Sequence, residues 1–251
     1  MLSIINFVTL VVFLILFYNI IMEDFKTLKF GHRGAKGYLA ENTIESIQKA
    51  LKLGVDGIEI DVHKCKSGEL VVFHDFTLDR LTNSIGEIAT FTLQELKELF
   101  ILKQFKIPTL IEVLEVINKK CILNIELKGI NTAEETVKTI ESYIENQHWN
   151  YNNFLVSSFQ KKELEAVYNL NKNIELGVLT KANLEEAIDF AKSINTKTIH
   201  ANFSLLSKNN VEKAHLNGYK INTWTVNTLQ AINRLKSYNV DAIISDFPDR
   251  I

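Results

Sequence analysis

Short β-branched runs alternate with amphipathic stretches along most of this chain. Runs rich in Ile, Val, Phe and Thr start near Leu28, Gly57, Cys121, Asn153, Ile174, Thr196, Tyr219 and Val240. Between them, stretches such as NTIESIQKALKLG, NLEEAIDFAKSI and NTLQAINRLKSYN repeat apolar residues at helical spacing. Strands separated by helices pair in parallel, because the chain crosses back over the sheet before the next strand begins. Eight such units in roughly 230 residues predict an α/β fold, a closed (β/α)8 TIM barrel, with an open doubly wound sheet as the alternative. The gap from Gly57 to Cys121 is wider than the others and predicts a small insertion after the second strand. In it, KSGELVVFHD reads as a turn and a short strand ending at His74 and Asp75, followed by helical TLQELKELF and TLIEVLEVINKK.

The first helix carries legible end signals. Asn42 is the expected N-cap, Glu45 completes a capping box, Ile44, Ile47 and Leu51 share a face, and Gly54 marks the stop. GHRGAKGYLAE before it is then the loop leaving the first strand, at the carboxyl end where barrel active sites are built. Its glycines are expected to let the backbone turn closely around an anion. A tight strand-to-helix turn with no ligand is the alternative.

Strand alternation selects side chains for chemistry. In GIEIDVH, Glu59, Asp61 and His63 share the face opposite Ile58, Ile60 and Val62; in NIELK, Asn124, Glu126 and Lys128 oppose Ile125 and Leu127. With the apolar faces against the helices, Glu59, Asp61, Glu126 and Lys128 point into the barrel, where unpaired charge is costly. Three oxygen donors of this kind suit one hard divalent cation, Mg2+ or Ca2+. A buried salt-bridge network with Arg33 and Lys128 is the alternative. His32 and His74 lie at strand ends beside Arg33 and Asp75. Two imidazoles aimed at a carboxylate-held cation, with Arg33 and Lys128 to meet phosphate oxygens, make a phosphodiester-cleaving site.

Met1 to Met22 reads MLSIINFVTLVVFLILFYNIIM, without a charged side chain and long enough to cross about 30 Å of hydrocarbon. Glu23, Asp24, Phe25 and Lys26 follow it in place of a small-residue cleavage site. The reading is a retained single-pass membrane anchor over residues 1–22 and a barrel domain over 23–251, with an apolar helix packed on the domain as the alternative. Lys26 and Lys29 beside two acids leave the side of the membrane unassigned. A net charge of −2 excludes the broad basic field of a nucleic-acid binder. Cys65 and Cys121 fit no metal spacing, read as small buried side chains, and fall on the order of 15 Å apart in a barrel, too far to bridge.

The segment GHRGAKGYLAENTIESIQKALKLGVDGIEIDVHKCKSGELVVFHDFTLDRLT, with IPTLIEVLE, NIELK, TWTVN and SDFP after it, resembles the glycerophosphodiester phosphodiesterase family from Phe30 to Pro248. The resemblance implies a (β/α)8 barrel with an insertion after the second strand and hydrolysis of glycerophosphodiesters to an alcohol and sn-glycerol 3-phosphate. It implies His32 and His74 as acid and base, Glu59, Asp61 and Glu126 as ligands of one divalent cation, and Arg33 and Lys128 as phosphate contacts. Trp224 is expected against the glycerol moiety, with barrel packing as its alternative role. Ala40 stands where the family carries proline. His63 reads as a rim residue, and His200 as a strand-end residue with the reach to line the pocket, though no motif demands it. Two rival functions stay open: a lysophospholipase D acting on lysophospholipid at the membrane, and a tethered phosphodiester-binding protein without turnover.

Overall fold

The computed structural model describes residues 26–251. The expected anchor at 1–22 lies outside them, and among the described residues no helix is long and apolar enough to cross a membrane. In chain order the main elements are β1 (Leu28–His32), α1 (Ile44–Lys52), β2 (Gly57–Lys64), β3 (Leu70–Val72), α2 (Leu93–Glu98), α3 (Leu110–Ile117), β4 (Ile122–Leu127), α4 (Ala133–Gln147), β5 (Phe154–Ser158), α5 (Lys161–Leu170), β6 (Leu176–Thr180), α6 (Leu184–Ser193), β7 (Thr198–Asn202), α7 (Lys208–Leu216), β8 (Lys220–Trp224), α8 (Leu229–Lys236) and β9 (Ala242–Ser245). All strands except β3 pair in parallel, and β1 joins both β2 and β9, so the sheet closes. Closure excludes the open doubly wound alternative.

Period-two alternation sorts the side chains as expected. Ile58, Ile60, Val62, Leu123, Ile125 and Leu127 are buried in the large apolar layer between strands and helices. Inside the barrel, the end where strands begin is plugged by Phe30, Ala242 and Ile244. Gly57 makes that plug possible, since a Cβ there would sit 2.2 Å from the Phe30 ring.

The insertion rides on an overlong β2. Beyond its pairing with β1 at Phe30 to His32, β2 continues and takes β3 antiparallel at Val62 to Lys64. The carbonyl of Asp61 accepts from Phe73 N–H on one side, and that of Val62 accepts from Lys128 and Gly129 on the other. β3 therefore occupies the place above β1 and delivers His74 to the barrel mouth. The segment has an apolar core of its own around Phe73, Leu78, Ile88, Leu96, Ile101 and Ile107.

Two local readings are corrected. The N-cap of α1 is Thr43, whose hydroxyl accepts from Ser46 N–H; Asn42 instead adopts a left-handed φ of 58°. Also, the loop glycines serve packing. A Cβ on Gly31 would meet the Gly34 carbonyl oxygen at 2.3 Å, and one on Gly34 would meet Ser46 of α1 at 2.5 Å. They hold the loop tightly to the helix, and none of them lines the cleft described next.

Candidate active site

A cleft of about 450 Å³, counted to its open mouth, lies at the carboxyl ends of the strands. Its lining includes His32, Arg33, Glu59, His74, Glu126, Lys128 and Trp224. Oxygen atoms of Glu59, Asp61 and Glu126 all lie within 4.8 Å of one another. Register explains the cluster: β2 and β4 align Asp61 with Glu126 and Glu59 with Asn124, and the inward faces meet.

These acids are buried, so their charge depends on neighbours. Burial, then Asp61 and Glu126, hold the Glu59 carboxyl well above its usual range. Burial and Asp61 push Glu126 up to about 7. For Asp61 burial acts in the same direction, but Arg33 and Lys128 outweigh it and keep the carboxyl low. Burial pulls Lys128 down, while Glu126 at 2.9 Å and Asp61 at 3.6 Å overrule it and hold the ammonium charged. The two nearby cations thus do not neutralise the trio. Glu59 Oε1 is buried without a hydrogen-bond partner, an expensive condition for a carboxyl group in either protonation state and one that a bound cation relieves. An all-oxygen donor set with an unsatisfied atom fits a hard divalent ion.

Both expected histidines reach the cleft, each backed by a carboxylate. His32 Nδ1–H donates to Asp246 at 2.6 Å, leaving Nε2 toward the acids, 4.0 Å from Glu59. Asp246 is fixed in turn by Asn227, whose Nδ2 donates at 2.8 Å. His74 Nδ1–H donates to Asp75 at 2.6 Å, and Arg80 Nε holds the other Asp75 oxygen at 2.5 Å. Arg80 keeps Asp75 down at about 2, so it stays ionised as a partner. Burial, opposed by the bond to Asp246, lowers His32; burial also lowers His74, with Asp61 opposing it. Both rings are therefore predominantly neutral at neutral pH.

Arg33 sits in left-handed backbone at φ 51°, which aims its own N–H at Glu59 Oε2 at 3.0 Å. Its guanidinium donates to Glu41 at 2.7 Å and approaches Asp61 at 3.3 Å. Glu41 also receives Arg80 at 2.6 Å and Lys36 at 3.3 Å, so it ties the first loop to the insertion. Asn42 Nδ2 donates to Asp61 at 2.8 Å, which is what its unusual φ achieves. Trp224 donates its indole N–H to the His200 carbonyl at 2.9 Å and meets Phe159 edge-on at 5.5 Å across the cleft wall.

His63 is not at the rim. It is 1% exposed, donates Nε2–H to the His74 carbonyl at 3.2 Å and packs edge-on against Phe76. Its place is beside β3, under the segment that carries His74 and Phe76. The supporting residues Glu41, Asn42, Arg80, Asn227 and Asp246 were not selected from the sequence. For Asp246 a signal exists, a carboxylate in SDFP directly after the last strand, where barrel sites gather residues. Cys65 and Cys121 are buried free thiols, as expected.

Acid–base groups and a hard-cation cradle on one mouth place the chain in the class of metal-assisted hydrolases on a (β/α)8 frame, suited to phosphate esters by the arginine and lysine beside the acids. Within that class, the chain belongs to the glycerophosphoryl diester phosphodiesterase family, whose model matches residues 32–250. It is 35% identical to a glycerophosphodiester phosphodiesterase of Caldanaerobacter subterraneus subsp. tengcongensis over 90% of this chain and 96% of that one. A Bacillus altitudinis glycerophosphodiester phosphodiesterase is 37% identical over 88% and 95% of the two chains. Among solved structures, an Oleispira antarctica phosphodiesterase in complex with the product sn-glycerol-3-phosphate superposes with a TM-score of 0.80 at 31% identity, covering 88% of this chain and 94% of that one.

Proposed function

We infer that the protein hydrolyses glycerophosphodiesters, releasing an alcohol and sn-glycerol 3-phosphate. The observation that carries this is the convergence of two carboxylate-backed imidazoles on the Glu59, Asp61 and Glu126 cluster in a chain of this family. Those three residues would hold one divalent cation, Mg2+ or Ca2+, which when bound neutralises phosphate charge and polarises its oxygens. Arg33 and Lys128 bring fixed positive charge to the same phosphate, and Trp224 offers a flat wall to the glycerol carbons.

His32 is the general base. Its Nδ1 proton is committed to Asp246, so its free Nε2 takes the proton from the glycerol 2-hydroxyl or from water, and Asp246 stabilises the imidazolium formed. His74 is the general acid. The anionic diester brought beside it raises its protonated fraction, and it then donates to the departing alcohol oxygen. Attack by the 2-hydroxyl gives a cyclic phosphate that water opens; attack by water gives the product directly.

The test is glycerol phosphate release from a panel of head groups with chelator and then each ion added back, using wild type, His32→Ala and His74→Ala. Each variant is expected to lose about 100-fold or more of kcat, the range for one acid–base group. Near-normal turnover by either variant refutes the pair, and turnover unaffected by chelator refutes the cation. Release of nothing from any diester favours the binding-protein reading. We further propose that residues 1–22 tether the barrel to a membrane. That run joins the barrel at the start of β1, the end opposite the cleft, and partition of the full chain and of a chain lacking 1–22 between membrane and soluble fractions tests it.

A further inference from the structure

Around the barrel from the acids, the cleft has a polar floor that the reaction chemistry above does not use. Asn124 Oδ1, Ser157 Oγ and His200 Nδ1 are buried there without a hydrogen-bond partner, and all three residues line the same cleft. Asn124 is 1% exposed and Ser157 and His200 are wholly buried.

The barrel brings them together in a definite way. Ser157 on β5 aligns with Glu126 on one side and with Gly177 of β6 on the other, so it continues the layer of the acids around the wall. Gly177 has no side chain, and the His200 ring occupies the space, with Nε2 2.6 Å from where a Cβ would stand. The ring thereby lies over Gly177, the residue that aligns with Ser157. Asn124 aligns with Glu59, closing the floor from the other side.

Their chemistry is complementary. His200 Nε2 accepts from Asn222 Nδ2 at 3.1 Å, so the neutral ring carries its proton on Nδ1, as an unused donor. Burial holds this imidazole far below its usual range, at about 3, and it stays neutral. Asn124 offers an acceptor, and the Ser157 hydroxyl serves as either. One donor, one acceptor and one adaptable hydroxyl match an alcohol O–H, which gives one proton and accepts others.

We propose that Asn124, Ser157 and His200 form a hydroxyl-binding floor that takes the free primary hydroxyl of the substrate's glycerol moiety. The inference rests on the glycerophosphodiester reading. With phosphate beside Arg33 and Lys128 and the 2-hydroxyl near His32, that terminal hydroxyl is the one polar group of the glycerol still without a partner. The floor then determines substrate class. A glycerol acylated at that oxygen presents no O–H and carries a chain that a closed polar floor excludes, so water-soluble deacylated diesters are substrates and monoacyl lipids are not.

The experiment compares kcat/KM of the full chain, with its divalent ion present, on glycerophosphocholine, on the analogue lacking the terminal hydroxyl (a propane-1,2-diol phosphocholine) and on the monoacyl form. Wild type is expected to prefer glycerophosphocholine over the deoxy analogue by on the order of 10- to 100-fold, the cost of stranding buried polar groups. The monoacyl form is expected to be disfavoured at least as much. Ser157→Ala is expected to lose about tenfold or more on glycerophosphocholine and little on the deoxy analogue, so that discrimination shrinks. Equal turnover of the three substrates by wild type, or undiminished discrimination by Ser157→Ala, overturns the proposal. Calorimetric binding of sn-glycerol 3-phosphate against propane-1,2-diol phosphate reads the floor without turnover. Tighter binding of the former, lost in Ser157→Ala, supports the floor even if no diester is cleaved; equal binding overturns it. Failure of the catalytic reading is thereby separated from failure of this one.

Discussion

Replacing Glu126 by glutamine should stabilise the metal-free protein while abolishing its use of a cation. Burial and Asp61 raise the Glu126 carboxyl from 4.5 to about 7 in the folded chain. Because the folded-state value lies above the unfolded one, the folded state binds the proton more tightly. Its stability is then fully present below the unfolded value and falls as pH rises through the window up to about 7. At about pH 7.5 the accumulated cost is on the order of 3 kcal/mol. Glutamine resembles the protonated acid, keeps an oxygen for the Lys128 ammonium now 2.9 Å away, and relieves the like-charge pressure on Glu59. Chelator-treated wild type and Glu126→Gln should therefore melt together near about pH 4 and separate by roughly 6–12 °C, variant higher, near about pH 7.5. Adding Mg2+ or Ca2+ should reverse the order, because only the intact trio gains binding energy from the ion. The assay is thermal unfolding followed by circular dichroism at matched scan rates. A metal-free wild type at least as stable as the variant near about pH 7.5, or a gap that does not change with pH, would refute the reasoning.

Other outcomes follow from the same geometry. Asp246→Asn removes the bond that raises His32 against burial, so the acid limb of kcat/KM should move to lower pH while the rate falls about tenfold or more, as when an orienting carboxylate is lost behind a histidine; an unchanged profile removes Asp246 from its role. Gly57→Ala drives a methyl into the Phe30 ring and should cost about 1–3 kcal/mol in chemical denaturation. The same substitution in a Phe30→Ala background should cost much less, and additive losses would show that the two do not share that space.

Much of the architecture was legible locally. Eight β-rich runs with helical spacers announced the barrel, and the wide gap announced the insertion. The alternation in GIEIDVH and NIELK exposed Glu59, Asp61, Glu126 and Lys128, because a pleated strand sends every second side chain to the same face whatever its neighbours are. His32 and His74 were visible as strand-end histidines beside charge. Where local signals misled, a distant partner had intervened. Asn42 reads as a cap in its own window, yet Asp61 draws its side chain away and Thr43 caps the helix. His63 shares the inward face with the acids, yet Phe76 and the His74 carbonyl of the insertion bury it.

The sequence by itself determined which residues face inward and in what order the strands arrive, since both depend on spacing along one stretch of chain. Only the tertiary structure decided which strand ends meet. Asp246 finds His32 from the far end of the chain because β9 closes against β1. Glu41 joins Arg33 to Arg80 because the insertion folds over the first loop. The His200 ring lies over β6 because Gly177 leaves room. The physical reason is that pleat and helical pitch are properties of a few consecutive residues, whereas closure of the barrel is a property of all its strands together and leaves no trace in any one of them.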